Sequence, residues 1–255
     1  MILLVKRNNL IFCALVLTLC LTILGVNLSY DKDAFEATTV STVPVLSTAG
    51  KTVVIDAGHG GEDPGAVSKF NGVSEKDITL VIAQKTKELL EKAGYKVIMT
   101  RTEDVLNYND ENASMTAKRR QDLLKRKKIM DESNADIVVS IHLNSFPETK
   151  YRGAQTFYTK NSLSGKKLAG AIQESLKINV DPDNDREALQ KKEDIIITKD
   201  CKVTTVIVEC GFLSNETECV KLAEESYQTK LAEGIKTGID KYFTAMVPEA
   251  TDSKK

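Results

Sequence analysis

The sequence predicts a single three-layer α/β domain, with a mainly parallel mixed sheet flanked by helices, and three observations carry that prediction. Short β-branched runs alternate with longer stretches of helical periodicity, the order produced when helices cross over between parallel strands. The apolar runs are continuous, as befits strands covered on both faces. Several of them end in polar or Gly-rich loops, which puts reactive side chains at strand carboxyl ends, where open α/β sheets gather their ligands.

Taken in order, Thr52 to Ile55 (TVVI) is the first strand and leads into Asp56 and the loop AGHGGEDPGA. From Glu75 to Ala93, apolar residues recur at Ile78, Val81, Ile82, Leu89 and Leu90, which predicts a helix with Ser74 as its N-cap and Gly94 as its stop. Lys96 to Thr100 is a second strand. Met115 to Met130 is a basic helix with Leu123, Leu124 and Ile129 on its apolar side. Its cluster of Lys118, Arg119, Arg120, Lys125, Arg126, Lys127 and Lys128 is expected to be exposed, either as a solvated face or as a surface that meets an anionic polymer or a partner. Asp136 to His142 (DIVVSIH) is the third strand and Thr156 to Tyr158 lies in a fourth. A helix from Ser164 to Ile178, strands at Ile195 to Thr198 and Val203 to Glu209, and a helix from Ser226 to Phe243 complete the domain.

At 255 residues, with 42% hydrophobic and 28% charged positions, the chain can bury one substantial core. Lys and Arg number 35 against 36 for Asp and Glu, so the overall charge gives no reason to expect nucleic acid as a partner, and specificity falls to a local site. After Lys6 and Arg7, an uncharged run from Leu10 to Val26 reads as a signal peptide or a single membrane anchor. No small-x-small pair follows it, which favours an anchor that stays in place. Residues 1–28 are therefore expected to export the protein, 29–51 to be a linker, 52–245 the catalytic domain and 246–255 a polar tail. Cys201, Cys210 and Cys219 form no CxxC pair and are expected to be buried thiols.

Both histidines of the chain fall at ends of strands, His59 in DAGHGG and His142 in SIHLNS. Imidazole is a common zinc ligand, and zinc hydrolases join two or three protein donors to a position left for water; two satisfied core histidines are the plainer alternative. A carboxylate should complete the set. Glu75, at the start of the first helix, is preferred over Glu62 and Asp63, although an acidic residue there also complements the helix dipole. Water activated at such a site needs a proton acceptor. Glu209 ends the run VTTVIV, where partial desolvation would raise its pKa and suit acid/base work, or where it hydrogen-bonds to backbone. Asp56 either orients a ligand from behind or closes the strand, and Asn144 and Ser145 are candidates to touch substrate.

VVIDAGHGGEDPGA, the step Ser74-Glu75-Lys76, SIHLNS and VIVECGFLSN together resemble the four motifs of the zinc-dependent type 3 N-acetylmuramoyl-L-alanine amidases, in the same order, over residues 52 to about 243. The resemblance is strongest to the germination-specific members of spore formers. It implies that His59, Glu75 and His142 hold one zinc ion, that Glu209 is the catalytic glutamate, and that Arg186 in NDREAL lines the substrate groove. It also implies hydrolysis of the bond between muramic acid and L-alanine in peptidoglycan, as a step toward muramic-δ-lactam in the spore cortex. The chain departs from the family in having Thr205 where a proline is usual and in lacking the usual Leu in DIIITKD. Because the three ligands come from separate segments, metal occupancy is also expected to respond to an accessory protein. Two other functions share the site's residue types, a zinc peptidase acting within the stem peptide and a silent wall-binding protein.

Overall fold

The computed structural model describes residues 50–193 and 195–246. The anchor read at Leu10 to Val26, the linker up to residue 49 and the tail from 247 lie outside the described residues. Among those described, no helix is long and apolar enough to cross a membrane.

Six strands form one sheet: β1 (Thr52–Ala57), β2 (Lys96–Met99), β3 (Ile137–Asn144), β4 (Gln155–Tyr158), β5 (Leu189–Gln190) and β6 (Thr204–Phe212). Their order is β2-β1-β3-β6-β4-β5, and only the β4–β6 pairing is antiparallel. The helices are α1 (Glu75–Lys92), α2 (Met115–Glu132), α3 (Leu163–Asn179), α4 (Glu216–Ala223) and α5 (Glu225–Thr244).

Strand alternation divides the sheet's two faces. Val53, Ile55, Val139, Ile141, Val206 and Val208 point into the larger core, where α1, α3 and α5 bring Ile82, Leu168, Ile172, Leu231 and Ile235. The opposite face is more thinly covered. Val54 and Val138 meet Met130 and Leu123 of α2, together with Ile197 and Val203 of the segment before β6. Along that same face, beyond the apolar residues, come Asp56, Ser140, His142 and Glu209. The fold class read from the sequence therefore holds, with chemistry at the carboxyl ends of the central strands.

Three local expectations do not hold. Ile195 to Thr198 is not a strand: the amides of Thr198 and Lys199 both turn back to the Ile195 carbonyl, at 2.9 and 2.8 Å. Ile197 is buried, so a short apolar run produced by packing looks like one produced by sheet pairing. The edge strand is instead β5, paired with Phe157 and Tyr158. Helix α4 was not expected, although Asn215 caps it by accepting the Glu218 amide at 2.9 Å. The basic helix also buries a different side than its leucines suggest. Lys118, Asp122, Arg126 and Met130 face inward, whereas Leu124 is exposed.

Candidate metal centre

β1 ends at Ala57, and the chain turns at once through Gly58 and His59. His59 has φ +61°, a left-handed conformation that costs a non-glycine residue of order 1 kcal/mol or more and must be held by its surroundings. Two guanidinium groups hold it. Arg101 donates to the carbonyls of Ala57 and Gly58, both at 2.9 Å, and Arg126 donates to the His59 carbonyl at 2.6 Å as well as to Ala57. Three successive carbonyls of the loop are thus fixed from below.

Glu75, at the first position of α1, is buried and returns toward β3. Its Oε2 accepts the Ala66 amide and its Oε1 the Leu143 amide, each at 2.9 Å. The His142 Nδ1 lies 2.9 Å and the His59 Nε2 3.2 Å from that same Oε1. One donor atom from each of His59, Glu75 and His142 fits within a mutual separation of 4.8 Å, so these three could hold a metal ion.

The surrounding chemistry fits a cation at this point. Asp63 approaches the His59 Nδ1 at 2.8 Å, and an ionised carboxylate only accepts, so Nδ1 carries the proton and Nε2 faces the cluster. Burial opposes charge on this ring, yet the bonds to Asp63 and Glu75 outweigh it and lift its pKa to about 9. Burial likewise opposes the Glu75 anion, but the two imidazoles hold its carboxyl well below the usual range. Positive charge is therefore favoured where the three side chains meet. Space is kept by glycines: a Cβ on Gly65 would stand 2.5 Å from Glu75 Oε2 and 2.7 Å from His59 Cδ2, and one on Gly58 would collide with the His142 ring.

Glu209 is the register partner of His142 across the β3–β6 pairing, so the two side chains leave the same face of the sheet side by side. Its Oε2 is shielded from solvent and has no hydrogen-bond partner among the described residues. Burial, with the Glu75 charge adding to it, raises its pKa against the pull of His142, Lys191 and His59. A cleft of about 360 Å³ opens over His59 and His142 and runs under Arg119, Leu123 and Ile197. A larger cavity of about 510 Å³ beside Ser162, Ser164 and Thr204, at the amino end of β6, carries none of these residues.

Asp56 reaches neither histidine through a hydrogen bond. Its carboxylate accepts from Thr100 and Ser140 hydroxyls at 2.6 Å and from Arg126 at 2.9 Å, so its effect on His59 passes through Arg126. Asn144 lies two positions beyond His142 and accepts the Ser145 amide at 2.8 Å, while Ser145 lines a separate cavity. Arg186 stacks 4.6 Å above Phe212 and donates to the Arg152 carbonyl at 2.6 Å and to Gln155 at 2.8 Å; Gln155 is the strand neighbour of Glu209. Asp63, Arg101 and Arg126 are supports that the sequence reading missed. Spacing four residues after His59 is the one signal that could have marked Asp63 as its partner.

Residues 53–241 match the family model described as N-acetylmuramoyl-L-alanine amidase. The chain belongs to this family. It is accordingly a peptidoglycan amidase, which sets aside the stem peptidase and the silent wall-binding protein. The germination-specific N-acetylmuramoyl-L-alanine amidase of Bacillus subtilis (strain 168) is 35% identical over 199 residues, covering 78% of this chain and 82% of that protein. The CwlD amidase from Clostridioides difficile, solved in complex with the GerS lipoprotein, is 48% identical with a TM-score of 0.74, covering 76% of this chain and 99% of that one. An N-acetylmuramoyl-L-alanine amidase from Clostridium difficile 630 is 31% identical with a TM-score of 0.65, covering 79% and 100%. The amidase described here is thus similar to germination-specific and CwlD-type members.

Proposed function

We propose that this amidase is a zinc enzyme of spore cortex maturation, cutting the bond between the lactyl carbonyl of N-acetylmuramic acid and L-alanine on the way to muramic-δ-lactam. The observation that carries the metal assignment is the convergence of His59, Glu75 and His142 on one point, with Asp63 fixing the His59 tautomer. A zinc ion held there supplies Lewis acidity toward water and toward the scissile carbonyl.

The chain's own groups do the rest. Glu209 accepts a proton from the attacking water through its shielded carboxylate and returns it to the departing nitrogen of L-alanine. Its pKa, raised by burial, suits that exchange, because a carboxylate that is costly to keep charged takes up a proton more readily than a solvated one. Glu75 stays ionised in its pair of amides and draws the two imidazoles to one oxygen. Asn144, Ser145 and Arg186 contact substrate around this centre. We place the protein outside the cytoplasm, in the space between forespore and mother cell, tied to the membrane by its N-terminal segment. An accessory protein promotes metal loading, a reading supported by the lipoprotein found with the Clostridioides difficile relative.

Mass spectrometry of cortex-type muropeptides incubated with zinc-loaded protein tests the reaction. Intact stem peptides beside a free lactyl carboxyl are expected; release of single amino acids would refute the bond assignment. Glu209→Gln is expected to lower kcat by about 10²–10⁴-fold with zinc content unchanged. A metal-loaded Glu209→Gln protein of full activity would remove Glu209 from the chemistry.

A further inference from the structure

Past the metal centre, the chain leaving β3 and the end of β6 build an aromatic shelf. Phe146 follows His142 closely, and Phe212 follows Glu209, so one pair of neighbouring strands serves both surfaces. The rings of Phe146, Tyr151 and Phe212 pack with centroids 5.4 to 6.3 Å apart. Phe212 is buried beneath, while Phe146 keeps 47% and Tyr151 37% of its surface exposed. Grouped aromatic exposure beside a reactive centre goes beyond what a core requires and marks a contact surface. From Phe146 a cavity of about 380 Å³ continues past Ser145 and Val67 to Lys69. Val67 directly follows Ala66, whose amide holds Glu75, so this cavity adjoins the support of the metal centre itself.

Charge selects the occupant. The shelf is bordered by the Arg186 guanidinium, by Lys150 over the Tyr151 ring at 5.4 Å, and by Lys69 in the cavity. None of the three forms a close ion pair among the described residues; Arg186 feels the buried Glu218 carboxylate only at a distance, since that group is occupied by the Gly153 and Phe212 amides, and the bonds of Arg186 go to uncharged acceptors, leaving its Nη2 available. In the cleft beside α2, by contrast, the charges are matched, Asp63 with Arg119 and Asp56 and Asp122 with Arg126. A muramoyl-peptide has the complementary asymmetry. Its lactyl carboxyl is consumed in the scissile amide, so the glycan side is uncharged and the free carboxylates lie on the peptide.

We propose that the shelf of Phe146, Tyr151 and Phe212, bordered by Lys69, Lys150 and Arg186, binds the stem peptide, with Arg186 taking the free carboxylate of the stem's second residue. The glycan then runs along the cleft beside α2. This assignment rests on the amidase reading of the metal centre, and it adds a specificity determinant: stems whose second residue keeps a free carboxylate are preferred to stems in which that group is amidated.

The test uses the zinc-loaded full chain and two soluble muramoyl-tripeptides that differ only in that carboxylate, free or amidated. The free form is expected to have a kcat/KM about tenfold higher, as for loss of one charge-assisted bond. Arg186→Gln abolishes the preference and Arg186→Lys restores part of it. Phe146→Ala, a change at a half-exposed side chain, raises KM about tenfold for both substrates. Calorimetric binding of the free stem tripeptide L-Ala-γ-D-Glu-L-Lys reads the shelf without turnover and is weakened in Phe146→Ala and Arg186→Gln. Retained preference in Arg186→Gln with unaltered tripeptide binding overturns the proposal. So does a Phe146→Ala protein whose defect follows glycan length, since that gives the shelf to the sugar chain. If the wild type binds the tripeptide in a Phe146-dependent way yet cleaves no muramoyl-peptide, the amidase reading falls and the shelf stands.

Discussion

Asp63 supports the candidate metal cluster without joining it. Its Oδ2 sits against His59 Nδ1 at 2.8 Å, and its Oδ1 is in turn gripped by Arg119 of α2 at 2.6 Å. A carboxylate locked in this way fixes both the tautomer and the ring orientation of His59. Asp63→Asn is expected to weaken zinc binding by about 10–100-fold with little change in fold, measured by competition with a chromophoric chelator. Affinity equal to the wild type would show that the ring needs no such support. The two histidines and Glu209 could be singled out in the sequence because each directly follows, or nearly follows, an apolar β-branched run. Glu75 was preferred to Glu62 and Asp63 as the third member, and Glu75 is the one that meets both rings, but the role of Asp63 was not read, because it depends on the left-handed turn at His59, which no local propensity announces. Only the folded loop separates the acidic group that converges on His142 from the one that stands behind His59.

Helix α2 shows how a charged pattern can hide a core. Positions 118, 122, 126 and 130 recur every four residues, and the inward stripe they form is mostly polar. Arg126 is the centre of that stripe. It pairs with Asp122 at 2.6 Å and Asp56 at 2.9 Å while also holding the backbone of the His59 loop. Removing one member of a buried ion network leaves the others uncompensated, so Arg126→Leu is expected to cost about 3–5 kcal/mol, read as a lower urea midpoint. It should also weaken zinc binding, because His59 loses the bond to its carbonyl. A variant with unchanged midpoint would mean that Asp56 and Asp122 are satisfied without the guanidinium. The periodicity was visible in the sequence, but the polar character of the inward stripe was not: of the leucines that drew attention, Leu123 packs against the core while Leu124 is exposed. Helix α4 was hidden for a different reason, since its cap Asn215 is the last residue of a stretch that also reads as a family motif, and the helix it opens is only eight residues long.

For the molecule as a whole, the mainly parallel sheet and its flanking helices were legible because alternation of strand and helix periods constrains an α/β domain strongly; the order of strands within the sheet was not read. The edge was not, since β5 is two residues long and offers no period to read. Buried Asp56 links the central strands to α2, and its titration should set acid stability. Burial alone would raise its pKa, but Arg126, His142 and the two hydroxyls bring it from 3.8 down to about 2. A carboxyl depressed in the folded state stabilises above its unfolded value, here by about 2 kcal/mol, and that contribution disappears as pH falls through the folded value. For metal-free protein, the loss of stability between about pH 4.5 and pH 2.5 should therefore be about 1.5 kcal/mol larger in the wild type than in Asp56→Asn, with the remainder lost below about pH 2.5. Equal losses in the two proteins would exclude Asp56 as the responsible group.

The three donors of the cluster belong to three stretches of chain, and Glu75 and His142 stand 67 positions apart. An unfolded chain offers an ion only scattered single side chains, which bind weakly. The cluster can therefore grip an ion tightly only after β1, α1 and β3 have come into register, so that holding the ion and keeping the central sheet intact become one and the same event.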